Sequence, residues 1–293
     1  MNRLRGLTRA RLCSDLGIAD KQLNDLAASA PDRYRERSLD AGEKTRQLLV
    51  PDGGLMHFQR QFYNEYLRDF PFPEAVFCCK GKGAVGAARK HRKHCHLLHL
   101  DIAGFFPSVT VGSVRAAFAG SGVSPELVNT LTRLVTVRGE LPQGAPTSVA
   151  VGNLVLHRLD RRVQGLCDAS GAGFTYTRYI DDIALSGGSR LENFVPSVRN
   201  IVEDCGWELN EKGGMLGPSE HHHLLGLCVG VDVTVDEQYL SDLRLALEKV
   251  QEEGPQRQAH YTSRLRGRIA WVKGVQPEVG RELKEVLDQI IGA

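Results

Sequence analysis

The sequence predicts an α+β fold, and three observations carry that expectation. Runs rich in aromatic and β-branched residues stand in pairs around polar turns at 34–50, 174–186 and 221–235, as hairpins do. Apolar residues recur at helical spacing at 55–67, at 114–137 and through the tail. With 293 residues, 42% of them hydrophobic, the chain can bury a sizeable core and form two or three subdomains.

Residues 1–30 read as one or two short helices with Leu16, Leu23 and Leu26 on the apolar side and Asp20 as a cap. Arg33 to Leu39 and Lys44 to Pro51 read as a hairpin turning at Asp40, Ala41 and Gly42. Its arginines have the planar fork that bonds phosphate oxygens in pairs, although exposed hairpin arginines usually do nothing so specific. Leu55, Phe58, Phe62, Tyr66 and Leu67 share one side of a helix. After Pro71 and Pro73 comes a basic stretch, then the apolar strand ending at Asp101. Residues 114–137 read as helix broken near Gly120 to Pro125. Leu141-Pro-Gln-Gly-Ala-Pro-Thr-Ser148 is a turn feeding one helix with Val151, Leu154, Leu159 and Val163. Such a turn either lets backbone approach a flat or anionic ligand or merely caps the helix. A hairpin at 174–186, a helix at 191–205 and a second hairpin at 221–235, interrupted at Gly226 and Gly230, follow. Leu240, Leu243, Leu247 and Val250 mark one helical stripe of the tail. Val279, Leu283, Val286, Leu287 and Ile290 mark another, opened by Pro277 and Glu278.

Bulk charge excludes little, because 37 basic residues nearly balance 35 acidic ones. Their distribution says more. Lys80, Lys82, Arg89, Lys90, Arg92 and Lys93 fall in an acid-free gap between Glu74 and Asp101. Arg257, Arg264, Arg266, Arg268 and Lys273 fall in another, with Tyr261 and Trp271 among them. Each stretch is either a nucleic-acid track or a solvated basic face. No apolar run reaches the roughly 18 residues of a membrane span, and the basic N-terminus lacks a signal-peptide core. A soluble, cytoplasmic protein without membrane contact is expected. Seven cysteines without a C-x-x-C pair suit a reducing compartment. His91, His94, His96 and His99 crowd around Cys95, yet their spacing matches no standard zinc site, and alternate strand positions face opposite ways.

Carboxylates are the chemistry-bearing feature. Asp181 and Asp182 sit at the tip of the 174–186 hairpin, where two anions repel by about 4 kcal/mol at 4 Å and an effective dielectric near 20. Alone, this is also what a plain polar turn looks like. Asp101 ends a strand apolar enough to be buried, where a charge needs a partner. A divalent ion shared by Asp101 and Asp181 would answer both, and oxygen-only ligands suit Mg²⁺ or Mn²⁺.

In order, Asp101-Ile-Ala-Gly-Phe-Phe-Pro-Ser108, Leu141-Pro-Gln-Gly-Ala-Pro-Thr-Ser148 and Tyr176-Thr-Arg-Tyr-Ile-Asp-Asp182, followed by a lysine motif and a small hairpin, resemble the palm motifs of reverse transcriptases. The resemblance spans about Arg37 to Val235, and the third motif is most similar to that of bacterial retron-type enzymes, with Ile180 where alanine is usual. Two elements depart from that type: its N-A-x-x-H stands here as Ala87-Ala-Arg-Lys-His91, and its V-T-G as Leu224-Leu-Gly226. Both are associated with handling the partner RNA.

The resemblance implies a right-hand polymerase fold. Its N-terminal helices and fingers would occupy 1–95, a palm 96–225 with a fingers insertion at about 112–142, and the primer-grip end and thumb 226–293. It implies two-metal nucleotidyl transfer with two Mg²⁺ ions held by Asp101, Asp181, Asp182 and the Ile102 carbonyl, Mn²⁺ being the substitute. Arg46 would bind triphosphate, Gln143 the incoming nucleotide, and Lys212 would protonate pyrophosphate. Phe106 would close off the space of a ribose 2′-OH; its neighbour Phe105, taken as the next residue of one strand, would point the other way. Lys80, Lys82, Arg89, Lys90, His91, Arg264, Arg266 and Arg268 would meet RNA or DNA. The implied partners are a structured non-coding RNA serving as template and primer, an RNA–DNA product, dNTPs and an effector protein, with anti-phage defence by analogy to retrons. The alternatives are another defence or mobile-element reverse transcriptase with a different template, and a silent RNA-binding scaffold.

Overall fold

Local sequence chemistry sets the first elements. The computed structural model describes residues 2–41, 44–211, 213–218, 222–253 and 259–292. Thr8 caps α1 (Arg9–Leu16) by accepting from the Arg11 amide, and Gln22 caps α2 (Asp20–Ser29) by accepting from the Ala19 amide. Asp20, expected as the cap, is the first helical residue and pairs with Arg9. Strands β1 (Tyr34–Ala41) and β2 (Lys44–Pro51) form an antiparallel hairpin, with Tyr34 opposite Pro51. Helix α3 (Gly53–Phe62), extended by a π turn over Tyr63–Leu67, buries the expected stripe of Leu55, Phe58, Phe62, Tyr66 and Leu67.

The central sheet takes β3 (Val76–Phe77) and, after α4 (Ala84–Lys90), β4 (His96–Asp101). The short helix α5 (Phe105–Ser108) precedes α6 (Val111–Gly120) and α7 (Pro125–Val135), which break between Gly120 and Pro125 as the sequence predicts. One helix expected after Ser148 is two, α8 (Ser148–Val155) and α9 (His157–Ser170), parted at Leu156. Strands β5 (Thr175–Tyr179) and β6 (Asp182–Gly187) form the carboxylate hairpin; α10 (Val195–Asp204) and β7 (Gly214–Leu216) complete this unit. The strand order is β3-β5-β6-β4-β7, antiparallel except for β3 beside β5.

Both faces of this sheet are covered, so β4, β5 and β6 are buried along most of their length, polar residues included. Alternation divides the side chains between two cores. Leu98, Leu100, Tyr176, Ile183 and Leu185 join the larger core with α8, α9 and α10, whereas Leu97 and Ala184 join a smaller core with Ala88 and the C-terminal helices.

The segment after 221, expected as a two-stranded hairpin, is a three-stranded antiparallel sheet: β8 (His222–Leu224), β9 (Leu227–Val229) and β10 (Val233–Val235). Leu225 and Gly226 both have positive φ, as a tight type I′ turn requires, and Gly230 opens a second turn rather than interrupting a strand. Helices α11 (Glu237–Glu253), α12 (Ala259–Val275) and α13 (Pro277–Gly292) pack Leu240, Leu243, Leu247 and Val250 against Leu265, Ile269, Leu283 and Leu287. Val286, counted in the buried stripe by sequence, is exposed. Among the described residues no helix is long and apolar enough to cross a membrane.

Candidate active site

The β5–β6 turn consists of Ile180 and Asp181, so Tyr179 pairs with Asp182 and Asp181 projects from the tip. On its other side β6 pairs with β4 in a register that sets Asp101 directly opposite Asp182. Like charges so placed destabilise a sheet. The carboxylate oxygens of Asp101, Asp181 and Asp182 lie within 4.8 Å of one another. Burial pushes the Asp181 carboxyl up to about 6, and the charges of Asp182 and Asp101 add to the rise; a backbone hydrogen bond and Arg46 oppose it. The cluster is thus three hard oxygen ligands in want of a cation.

Neighbouring groups fix where these carboxylates point. The Asn210 side-chain amide donates to Asp101 Oδ2, and the Asn210 backbone N–H donates to the Asp101 carbonyl at 2.8 Å. His99 Nε2 lies 2.8 Å from Asp182 Oδ1. The Ile102 side chain is buried, and its N–H donates to the Asp181 carbonyl at 3.2 Å, tying the end of β4 to the hairpin tip. Sequence reading missed His99 and Asn210 as orienting groups. His99 stands two residues before Asp101 and so shares its strand face, a usable signal; Asn210 arrives only through tertiary contact.

Behind the tip is a second polar network, also missed. Arg178 is 0% exposed and Asp160, on α9, is 1% exposed. Arg178 donates through Nε and Nη2 to the two oxygens of Asp160 at 2.7 and 2.8 Å, and through Nη1 to Asn153 Oδ1 and the Ile180 carbonyl at 2.8 and 2.7 Å. Tyr176 donates to Asp160 at 2.7 Å. Ile180 has φ 59°, a left-handed conformation that disfavours a β-branched residue by roughly 1–2 kcal/mol. Arg178 therefore holds the strained residue that aims Asp181.

The β1–β2 hairpin approaches the site through the 141–148 turn. The Leu49 N–H donates to the Gln143 carbonyl at 2.8 Å, and Gly144, at φ +114°, passes so close to β2 that a Cβ there would lie 3.2 Å from Leu48 Cβ. This contact brings half-buried Gln143 and exposed Arg46 to the carboxylate side, and Arg46 is near enough to act electrostatically on Asp181.

Phe105 and Phe106 lie on α5, not on a strand, which corrects the geometry expected for them. Adjacent helical residues diverge by about 100°. Phe105 is buried against Trp207 and α8, where a Cβ on Gly152 would come within 2.9 Å of its ring; Phe106 is half-buried.

The first basic stretch is largely engaged by protein. Lys80 pairs with Asp69, Lys82 Nζ donates to the carbonyls of Pro73 and Glu74, Lys90 pairs with Glu74, and Arg89 donates to the Val275 carbonyl. His91, expected at an RNA surface, is buried instead, with its ring nitrogens 2.7 Å from Ser186 Oγ and Thr177 Oγ1. Burial drives its pKa down to about 3, with His94 adding to the shift, so it is a neutral core group. The four histidines around Cys95 do not converge: His94 meets Thr175, His96 meets Glu192 and His99 meets Asp182. On α12, Arg264 and Arg266 are exposed, while Arg268 lies over the Tyr239 ring at 4.8 Å. Lys212 lies outside the described residues.

A family model described as reverse transcriptase (RNA-dependent DNA polymerase) matches residues 9–224. The Retron Mx65 reverse transcriptase of Myxococcus xanthus is 31% identical over 260 residues, covering 81% of this chain and 60% of that protein. The Retron Ec86 reverse transcriptase of Escherichia coli is 29% identical over 261 residues, covering 85% of this chain and 78% of that one. Similar folds occur in the structure of telomerase from Candida albicans in complex with a TWJ fragment of telomeric RNA (TM-score 0.51, 9% identity, 88% of this chain and 63% of that chain). Another is apo telomerase from Candida tropicalis truncated from its C-terminal domain (TM-score 0.50, 13% identity, 70% and 56%). At these identities the likeness to telomerase concerns the polymerase fold alone.

Proposed function

This chain belongs to the reverse transcriptase family, and we propose that it is a retron-type RNA-directed DNA polymerase that extends a primer with dNTPs at Asp101, Asp181 and Asp182. The observation that carries this reading is the convergence, within 4.8 Å, of carboxylates from two separate motifs in an oxygen-only cluster. Two Mg²⁺ ions, or Mn²⁺ in their place, fit that donor set and, held by the three aspartates and the Ile102 carbonyl, would activate the primer hydroxyl and neutralise triphosphate charge.

The remaining work falls to the chain's own groups. Arg46 would bind triphosphate oxygens from above the site, and the Gln143 turn, pinned under β2, would orient the nucleotide. Asn210 and His99 would keep Asp101 and Asp182 from turning away. Phe106 would exclude a 2′-OH by bulk, and Lys212 would supply a proton to pyrophosphate. In this reading the five-stranded sheet is the palm, the β1–β2 hairpin belongs to the fingers, and α11 to α13 form the thumb. Its likeness to reverse transcriptases named for retrons supports the retron-type reading. By analogy with retrons, that reading takes a structured non-coding RNA as template and primer, an RNA–DNA product, an effector partner and a role in phage defence.

Primer extension on an RNA template tests the reading. The protein should incorporate dNTPs when Mg²⁺ is supplied and stop with EDTA, and Phe106→Val should raise use of GTP relative to dGTP, measured as the ratio of kcat/KM. No extension on any primed RNA would overturn the polymerase reading; an unchanged sugar ratio would remove Phe106 from the nucleotide site.

A further inference from the structure

Among the described residues, one other set of side chains converges as a cation site would require, far along the chain from the carboxylate motifs. His223 on β8 stands directly across from Cys228 on β9, and Asp236 follows β10 as the residue before α11. Cys228 Sγ lies 3.7 Å from His223 Nδ1 and 3.9 Å from Asp236 Oδ2, and the three ligand atoms are all within 4.8 Å. The other oxygen of Asp236 is committed, accepting from the amides of Gln238 and Tyr239 at 2.8 and 3.4 Å, so Oδ2 is aimed toward the sulfur by the helix cap. The opposite face of the same sheet carries Leu224, Leu227, Val229, Val233 and Val235 in the small core, leaving this cluster on the outer face.

We propose that His223 Nδ1, Cys228 Sγ and Asp236 Oδ2 bind one zinc-class divalent cation that ties the β8–β10 sheet to the start of α11, with a solvent water completing the tetrahedron. Zinc bonds of about 2.3 Å to sulfur and 2.0–2.2 Å to nitrogen or oxygen set tetrahedral separations from the sulfur near 3.6 Å, within a few tenths of the two sulfur distances observed, and the nitrogen-to-oxygen pair, within 4.8 Å, closes on the ion. A thiolate and an imidazole select such an ion over Mg²⁺, which is confined to the oxygen-only site. The ion replaces the thiol proton, which leaves to solvent. A nucleophilic Cys-His-Asp arrangement fits less well, because its carboxylate would bond the second imidazole nitrogen, whereas Asp236 approaches the sulfur.

The test uses the full chain, stripped with EDTA and titrated with Co²⁺ in excess Mg²⁺, reading the thiolate-to-cobalt absorption that oxygen ligands cannot give. One Co²⁺ per chain should produce that band, and Zn²⁺ should displace it. The band should vanish in Cys228→Ser and in His223→Ala, whose exposed side chain can be removed without disturbing the fold. It should persist in Cys95→Ser, which addresses the other histidine-flanked thiol, and in Asp181→Asn, which separates this result from the polymerase reading. Asp236→Asn keeps a competent cap and should weaken binding while α11 remains helical. Zn²⁺ should raise the melting temperature of the wild type and not of Cys228→Ser. No band with stoichiometric Co²⁺, or a band that survives Cys228→Ser, would overturn the proposal.

Discussion

Asp160 and Asp181 belong to the same central unit and meet opposite surroundings. Asp160 is fully buried, yet both of its oxygens are met by Arg178 and one also by Tyr176. Asp181 is only half-buried, but its carboxylate clusters with two more, the opposing charge of Arg46 is the smallest influence on it, and its acidity is weakened to about 6. Burial alone therefore does not mark the candidate metal-binding carboxylate; a deficit of compensating charge does. The fold supplies a guanidinium where geometry must be held and leaves the tip to be balanced from outside.

The sharpest test removes one uncompensated charge. Asp181→Asn should lower primer extension by several orders of magnitude in steady-state assays while circular dichroism stays native. In EDTA at pH 7 its melting temperature should equal or exceed that of wild type, since a repulsive charge is gone. Activity within tenfold of wild type would break the contrast. On the compensated side, Arg178→Met strands Asp160 and should cost about 3–5 kcal/mol in urea unfolding, and Arg178→Leu with Asp160→Leu should recover most of it. A loss below about 1 kcal/mol for Arg178→Met would mean that this pair does not organise the tip.

The contrast extends to His91, a base kept neutral by burial between Ser186 and Thr177. Its folded pKa of about 3 lies below the unfolded value near 6.5, so the unfolded chain binds a proton that the fold refuses. Stability attributable to this group is complete above pH 6.5 and falls as pH drops toward 3. Between pH 7 and pH 5 wild type should lose about 2 kcal/mol more than His91→Gln in denaturant titrations. Equal losses would place the proton elsewhere. The smallest effect concerns cations. Arg264→Ala with Arg266→Ala should reduce the log–log salt slope of binding to a structured RNA by about 1 to 2, and Lys80→Ala with Lys90→Ala should reduce it by less, because those lysines are already paired. Equal reductions would show that pairing in the free protein does not predict the RNA track.

The sequence alone was sufficient for most helices and hairpins and for naming the three aspartates that meet in space. Asp101 at a strand end and Asp181-Asp182 at a hairpin tip are local facts, written in alternation and turn chemistry. Where sequence reading failed, a nonlocal contact had decided the outcome. Phe105 and Phe106 became helical because the chain turns at Gly104, φ 50°, to bury Phe105 against Trp207 and Gly152. The acid-free gap at 75–100 looked available for nucleic acid, but Asp69 and Glu74 fold back onto its lysines, and His91 is drawn beneath the sheet. The histidines adjacent in sequence around Cys95 do not converge, whereas His223, Cys228 and Asp236, which meet in space, join two paired strands and a helix cap. Composition and periodicity report what each segment can become on its own; which charges remain uncompensated depends on partners tens of residues away, and tertiary packing alone assigns them.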